Sequence, residues 1–206
     1  MEDVRDLKEL QLDALREVAN IGAGHAATAL SQMTNRTIMI AVPEVNVRAL
    51  EEVTDLVGRG DEVIAAVLMH MMGDLTGRTL VLFPESSARM LCDILLRKPP
   101  GTTTALGTME QSGIKEAGNI LASAYLNALS DFMGMMLVPS VPSLVVDLSA
   151  AVLTTAYLNF GHDRDYVFCV ETSFRVEGTT EPLVGHFLLL PDMPSLRAIF
   201  DAIRLP

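Results

Sequence analysis

One polar pattern occurs twice in this chain, and the repeat limits what the chain can fold into more than any other feature. Asp13, Glu17 and Asn20 stand in the same spacing as Ser112, Glu116 and Asn119. In both copies 22 residues then separate the Asn from a proline, Pro43 in the first and Pro142 in the second. All four positions are offset by 99 residues. On an α-helix, positions i, i+4 and i+7 share one face, so each triplet forms a polar stripe. A lone Glu and Asn in this spacing is ordinarily a solvated helix face. Two such stripes in register, each with the same downstream proline, point instead to a duplicated site.

The rest of the chain follows the repeat. Leu7, Leu10, Ala14, Val18 and Ile21 recur at helical spacing, which predicts a helix from about Asp6 to Met33. Gly22 and Gly24 interrupt it, flanked by alanines, and predict a close approach of another helix at some cost in helix propensity. Thr37 to Val42 reads as a strand ended or bent by Pro43, and Glu51 to Asp61 as a polar connection or short helix. Glu62 to Met72 and Arg78 to Phe83 read as paired strands around a Gly73–Gly77 hairpin loop. Ser86 is expected to cap a helix running to about Lys98, and Pro99 to Thr104 reads as a linker near mid-chain.

The second half repeats this order: a helix over Thr108 to Phe132, a strand region broken by Pro139 and Pro142, a helix from Ser149, strands at Tyr166–Val176 and Leu183–Leu190, and a closing helix after Pro191. Arg89 and Asp93 find their counterparts in Arg197 and Asp201 at an offset of 108, so the second copy has gained nine residues, expected near Asn159 to Asp165. The expectation is a single domain over residues 1–206, made of two intertwined repeats of about 1–100 and 101–206. Its fold class is α+β, pseudo-two-fold, with an antiparallel sheet and two equivalent long motif-bearing helices.

Composition narrows the function. A net charge of -11 argues against nucleic acid or an anionic membrane surface as the main partner. Cys92 and Cys169 lie far apart in apolar runs and read as reduced core thiols. His25, His70, His162 and His186 show no metal-ligand spacing, so no metal is expected on the chain itself. The first ten residues carry six charges, unlike a signal peptide. The longest uncharged run, Phe132 to Val146, is too short for a membrane span. A cytoplasmic, monomeric protein is expected. Gly22-Ala-Gly-His-Ala-Ala27 matches a dinucleotide string on paper, but no strand precedes it. The methionine groups Met69, Met71, Met72 and Met133, Met135, Met136 read as core, or as an adaptable partner surface.

Glu17 to Ser31 (Glu-Val-Ala-Asn-Ile-Gly-Ala-Gly-His-Ala-Ala-Thr-Ala-Leu-Ser) and Glu116 to Phe132 resemble the signature of the CheC/CheX/FliY family of chemotaxis phosphatases. Two copies in a chain of this length resemble the two-site CheC branch more than single-site CheX. Ala19 stands where the family usually has Gly, and His25 where Asn is usual. The resemblance implies that the substrate is the phospho-aspartate of the response regulator CheY, with Asn20 and Asn119 positioning water and Glu17 and Glu116 reaching the receiver's Lys. It implies supporting roles for Asp13 and Ser112, structural ones for Pro43 and Pro142, and Mg²⁺ held by the receiver. It also implies the receptor deamidase CheD as a partner; the contact is expected around Asp147 and Leu148, where the region that gains residues in the second half begins. The rival is a non-catalytic interaction module like the middle domain of FliM, which would have no need of the Glu/Asn pairs.

Overall fold

The structure is a computed structural model and describes residues 9–49, 60–160, 166–179 and 181–203. The first half runs α1 (Glu9–Thr34), β1 (Ile38–Ile40), β2 (Glu44–Ala49), β3 (Val63–Gly73), β4 (Gly77–Pro84) and α2 (Glu85–Leu95). The second runs α3 (Thr108–Met133), β5 (Leu137–Pro139), β6 (Ser143–Leu148), α4 (Ser149–Phe160), β7 (Tyr166–Val176), β8 (Leu183–Pro191) and α5 (Met193–Ile203). The segment Glu51 to Asp61 lies largely outside the described residues, as do residues 161–165.

Every described strand pairing is antiparallel, in one sheet ordered β1-β7-β8-β4-β3-β5, with β2 also on β7 and β6 also on β3. The halves exchange strands: β1 and β2 of the first pair with β7 of the second, and β5 and β6 with β3. The register obeys the same symmetry. Ile38 lies opposite Val176 and its counterpart Leu137 opposite Gly73. At the centre, β4 meets its own counterpart β8, with Val81 opposite Phe187 at the pseudo-dyad.

Both sheet faces are buried, which is why the strands read as nearly continuous apolar runs rather than clean alternations. Successive side chains still point to opposite faces. Ala65, Val67, Met69 and Met71 join the main core with α1, α2, α3 and α5, whereas Ile64 and Ala66 face Val152 and Leu153 of α4. The hairpin between β3 and β4 is made by Gly73 and Gly77 at φ 116 and 157, where a side chain would be strained and would also strike the backbone of Met136 or Leu190.

Several sequence expectations need correction. The first strand region is two strands, β1 and β2, with Pro43 in the bend between them; the polar residues of β2 hid it. Ser86 does not cap α2. The helix starts at Glu85, after Pro84 in the N-cap position with no side-chain cap bond. The ring fixes φ there at -50 and lets strand run straight into helix. The supposed linker is tied down: Asp93 accepts from the backbone N–H of Gly101, Thr102 and Thr103 and from both threonine hydroxyls.

The nine extra residues are also spread out. Ala49 and Val63, 14 apart, correspond to Leu148 and Tyr166, 18 apart, so four residues enter around α4. Three more lengthen the second hairpin, since five residues separate the paired Met71 and Gly77 but eight separate Phe174 and Leu183. The last two enter between β8 and α5.

Candidate functional site

The two motif helices lie against each other over the sheet. Each buries a small-residue stripe: Leu15, Val18, Ala19, Ala23, Ala26 and Leu30 on α1, and Ile114, Ala117, Gly118, Leu121, Ala122 and Tyr125 on α3. Gly22 permits the close approach, because a Cβ there would stand 2.7 Å from Tyr125 Cδ1 and 3.0 Å from its Cα. That contact offsets the roughly 1 kcal/mol a helical glycine costs. Gly24 has no such duty, as the space beside it is open. Tyr125 continues to the sheet, stacking on Phe187 at 4.7 Å and hydrogen-bonding the Thr172 hydroxyl at 2.6 Å. Burial pushes its phenol up to about 12, so it stays protonated.

With the apolar stripes committed inward, the triplets are left outside. Asp13, Glu17 and Asn20 are exposed, as are Ser112 and Glu116, while Asn119 is half-buried. Neither Glu and neither Asn makes a side-chain hydrogen bond among the described residues, so their polar atoms are available to a partner. Arg16, one turn before Asn20, is held by Asp13 at 2.6 Å. Its counterpart Lys115 faces Ser112 in that place, and no ion pair engages it among the described residues.

The fixed spacing from Asn to Pro has a geometric reason. From Asn20 the helix runs 14 residues to Thr34, about 21 Å at 1.5 Å per residue. The chain turns and comes back, Ile38 to Ile40 as strand and residues 41–43 as the bend after it, a return of at most about 17 Å at 3.3 Å per residue. The return is visible in the contacts: the Ile38 N–H donates to Ser31 Oγ at 2.9 Å, and Val45 meets Leu15, Val18 and Ala19 at a shared hollow. Pro43, two residues before Val45, is thus on the stretch of chain that returns along α1 toward the turns around Asn20. The second copy has the same counts, Asn119 to Met133 and Leu137 to Pro142. Pro43 is buried and Pro142 half-buried.

The remaining sequence candidates sit elsewhere. Asp147 and Leu148 are exposed on β6, opposite Ile64 and Val63, away from both Asn residues along the strand. Cys92 and Cys169 are buried and form no disulfide, and burial pushes the Cys92 thiol up to about 11. Among the described residues no helix is long and apolar enough to cross a membrane.

Comparison with known proteins agrees with this geometry. The profile of the CheC-like family matches twice, over residues 10–47 and 109–146, again 99 apart. The CheY-P phosphatase CheC of Bacillus subtilis is 36% identical over 199 residues, covering 96% of this chain and 95% of that protein. The crystal structure of Thermotoga maritima FliY superposes with a TM-score of 0.78 at 20% identity, over 96% of this chain and 98% of that one. The FliM middle domain from H. pylori superposes at 0.62 and 14% identity, over 95% and 99%. At those identities the two structures establish a shared fold.

Proposed function

The chain belongs to the CheC-like family, and from that premise we propose that it hydrolyses the phospho-aspartate of the response regulator CheY at two equivalent sites. The observation that carries this reading is the pair of triplets in register, whose Glu and Asn make no side-chain hydrogen bond among the described residues and which are followed by a proline at the same spacing. A family member kept only as a scaffold has no use for two such stripes.

The chemistry needs no nucleophile from this chain. An acyl phosphate is already activated, and the receiver supplies Mg²⁺ and a Lys that neutralise phosphoryl charge. What is missing is a water held in line. The amide of Asn20 or Asn119 can accept from and donate to that water at once, placing its oxygen behind phosphorus. The P–O bond to the carboxyl then breaks, the electron pair leaves on the receiver's aspartate, and inorganic phosphate departs. Asn is a poor base, so the gain comes from orientation. Glu17 or Glu116 reaches the receiver's Lys and fixes the docking register. Asp13 and Ser112 support the helix face, and Pro43 and Pro142 shape the chain beside it.

CheD is the second partner in this reading, docking at the outer edge around Asp147 and Leu148. Leu148→Arg should abolish CheD binding, and unchanged binding would remove the assignment. The function itself is tested by phosphate release from phosphorylated CheY with Mg²⁺ and a substoichiometric amount of the chain. Multiple turnovers are expected, with a raised KM in Glu17→Ala/Glu116→Ala. The FliM-like fold favours one alternative, a module that binds a receiver without acting on it. Binding without accelerated release would establish that instead.

A further inference from the structure

Val42 and Val141 are the two most exposed large apolar side chains among the described residues, at 82% and 88%. They are also counterparts, 99 residues apart, each immediately before the motif proline. A single exposed valine is unremarkable on a protein surface. Two other counterpart pairs, Met33 with Phe132 and Met39 with Val138, are exposed as well but less so, and only Val42 and Val141 adjoin the motif proline.

The backbone holds each valine out. On one side the Ala41 N–H donates to the Ser173 carbonyl at 2.9 Å, and its counterpart Ser140 donates to the His70 carbonyl at 2.9 Å. On the other side stands the proline, buried at Pro43 and half-buried at Pro142. A β-branched residue fixed on both flanks has few rotamers to lose on contact, which lowers the entropic cost of docking. Val42 lies on the stretch that returns along α1, three residues before Val45, which lines a hollow with Leu15, Val18 and Ala19, and Ile21, next to Asn20 in sequence, is exposed as well. A polar stripe that meets the reacting groups is thus bordered by a rigid apolar knob.

Resting on the receiver-phosphatase reading, we propose that Val42 and Val141 are docking residues for the phosphorylated receiver, one per site, inserting into apolar surface beside its phosphorylation pocket. They set KM, and the Asn residues set kcat. The partner is a protein domain, because a free acyl phosphate would offer nothing to an apolar knob this far out on the surface.

Single-site chains separate the effects. In Asn119→Ala, where the first site works alone, Val42→Asp should raise KM for phosphorylated CheY about tenfold, the loss expected of an interfacial anchor, with a much smaller change in kcat. Val42→Ile should keep KM near its starting value, and the isosteric Val42→Thr should fall between. In Asn20→Ala, Val42→Asp should leave KM alone and Val141→Asp should raise it, a site-by-site selectivity that general destabilisation would not give. KM within twofold of the parent for both Asp variants would overturn the docking role while leaving the site reading intact. Full activity in Asn20→Ala/Asn119→Ala would sink the site reading, and the docking role with it.

Discussion

The two motif helices carry the same triplet on different foundations. Under α3, Gly118 lets the helix sit directly on β3, where a Cβ would come within 2.7 Å of Val67 Cβ. The first turn of α3 is held by Lys98 on Glu110 at 2.6 Å, and the preceding loop by the Asp93 carboxylate. Under α1 the equivalent residue is Ala19, and beside it Leu15, Val18, Val45, Phe168 and Val170 leave an apolar hollow of about 50 Å³. The outer strands differ too: β2 begins with Glu44 and Asn46, whereas β6 exposes Val145, Val146 and Leu148. Duplication has preserved the spacing that places the site while the support beneath each copy diverged. The stripe and the proline spacing of the candidate site are thus carried on two different foundations.

The sharpest break in that comparison is Asp93. Its carboxyl is buried, which alone would raise its pKa, but hydrogen bonds from Thr103, Thr102 and Gly101 outweigh burial and hold it below the ordinary range. Asp93→Ala strands the Gly101 and Thr103 N–H groups and the Thr103 hydroxyl, while Thr102 keeps the Pro99 carbonyl, and should cost about 3–4 kcal/mol in urea unfolding. Because the folded pKa is lowered, the contribution of Asp93 is present above the ordinary carboxylate value of 3.8 and is lost as pH falls through the folded one.

His186 occupies the place that Leu80 fills in the first half, buried between Leu82 and Glu171 on neighbouring strands. Burial lowers its pKa from 6.5 to about 4. The unfolded chain binds the extra proton between those values, so stability should rise with pH across that window, by up to about 3 kcal/mol. His186→Leu, which makes the halves alike, should flatten the rise. A pH titration of the unfolding midpoint in both proteins reads this directly.

Gly118→Ala should cost about 1–3 kcal/mol, since Val67 must yield on a strand buried on both faces. At the first site Ala19→Gly meets no such contact and should cost about 1 kcal/mol through helix propensity. A gain in stability for Gly118→Ala, as helix propensity alone would give in an open seat, would mean the two seats are alike after all. The smallest effect is expected for Asp13→Ser, which converts the first triplet into the second. The Asp13–Arg16 pair is 58% and 51% exposed, so less than about 0.5 kcal/mol should be lost.

Much of this fold was legible because its signals are local. Helical spacing gave α1 and α3 nearly to their ends, and Gly73 and Gly77 marked a hairpin whose register follows from the turn. The candidate site stands out in the sequence because the motif is written twice. What was hidden is non-local. No pattern in Pro99 to Thr104 announces that Asp93 will bind its backbone. The sequence does not say which strand β1 joins, since exchange between halves satisfies the same apolar pattern as pairing within one. Gly22 and Gly24 look alike in sequence, yet only Gly22 has Tyr125 across from it. The exposure of Val42 and Val141 depends on the bend around them, which a run of strand-forming residues conceals.

The measurement that tests the central claim most directly is the decay of phosphorylated CheY with Mg²⁺ in the presence of the parent chain, Asn20→Ala, Asn119→Ala and the double variant. Two working sites predict that the parent speeds decay, that each single variant keeps part of that gain, and that the double variant returns decay to the unassisted rate. A folded parent chain that leaves the decay unchanged, or a double variant as active as the parent, would contradict it.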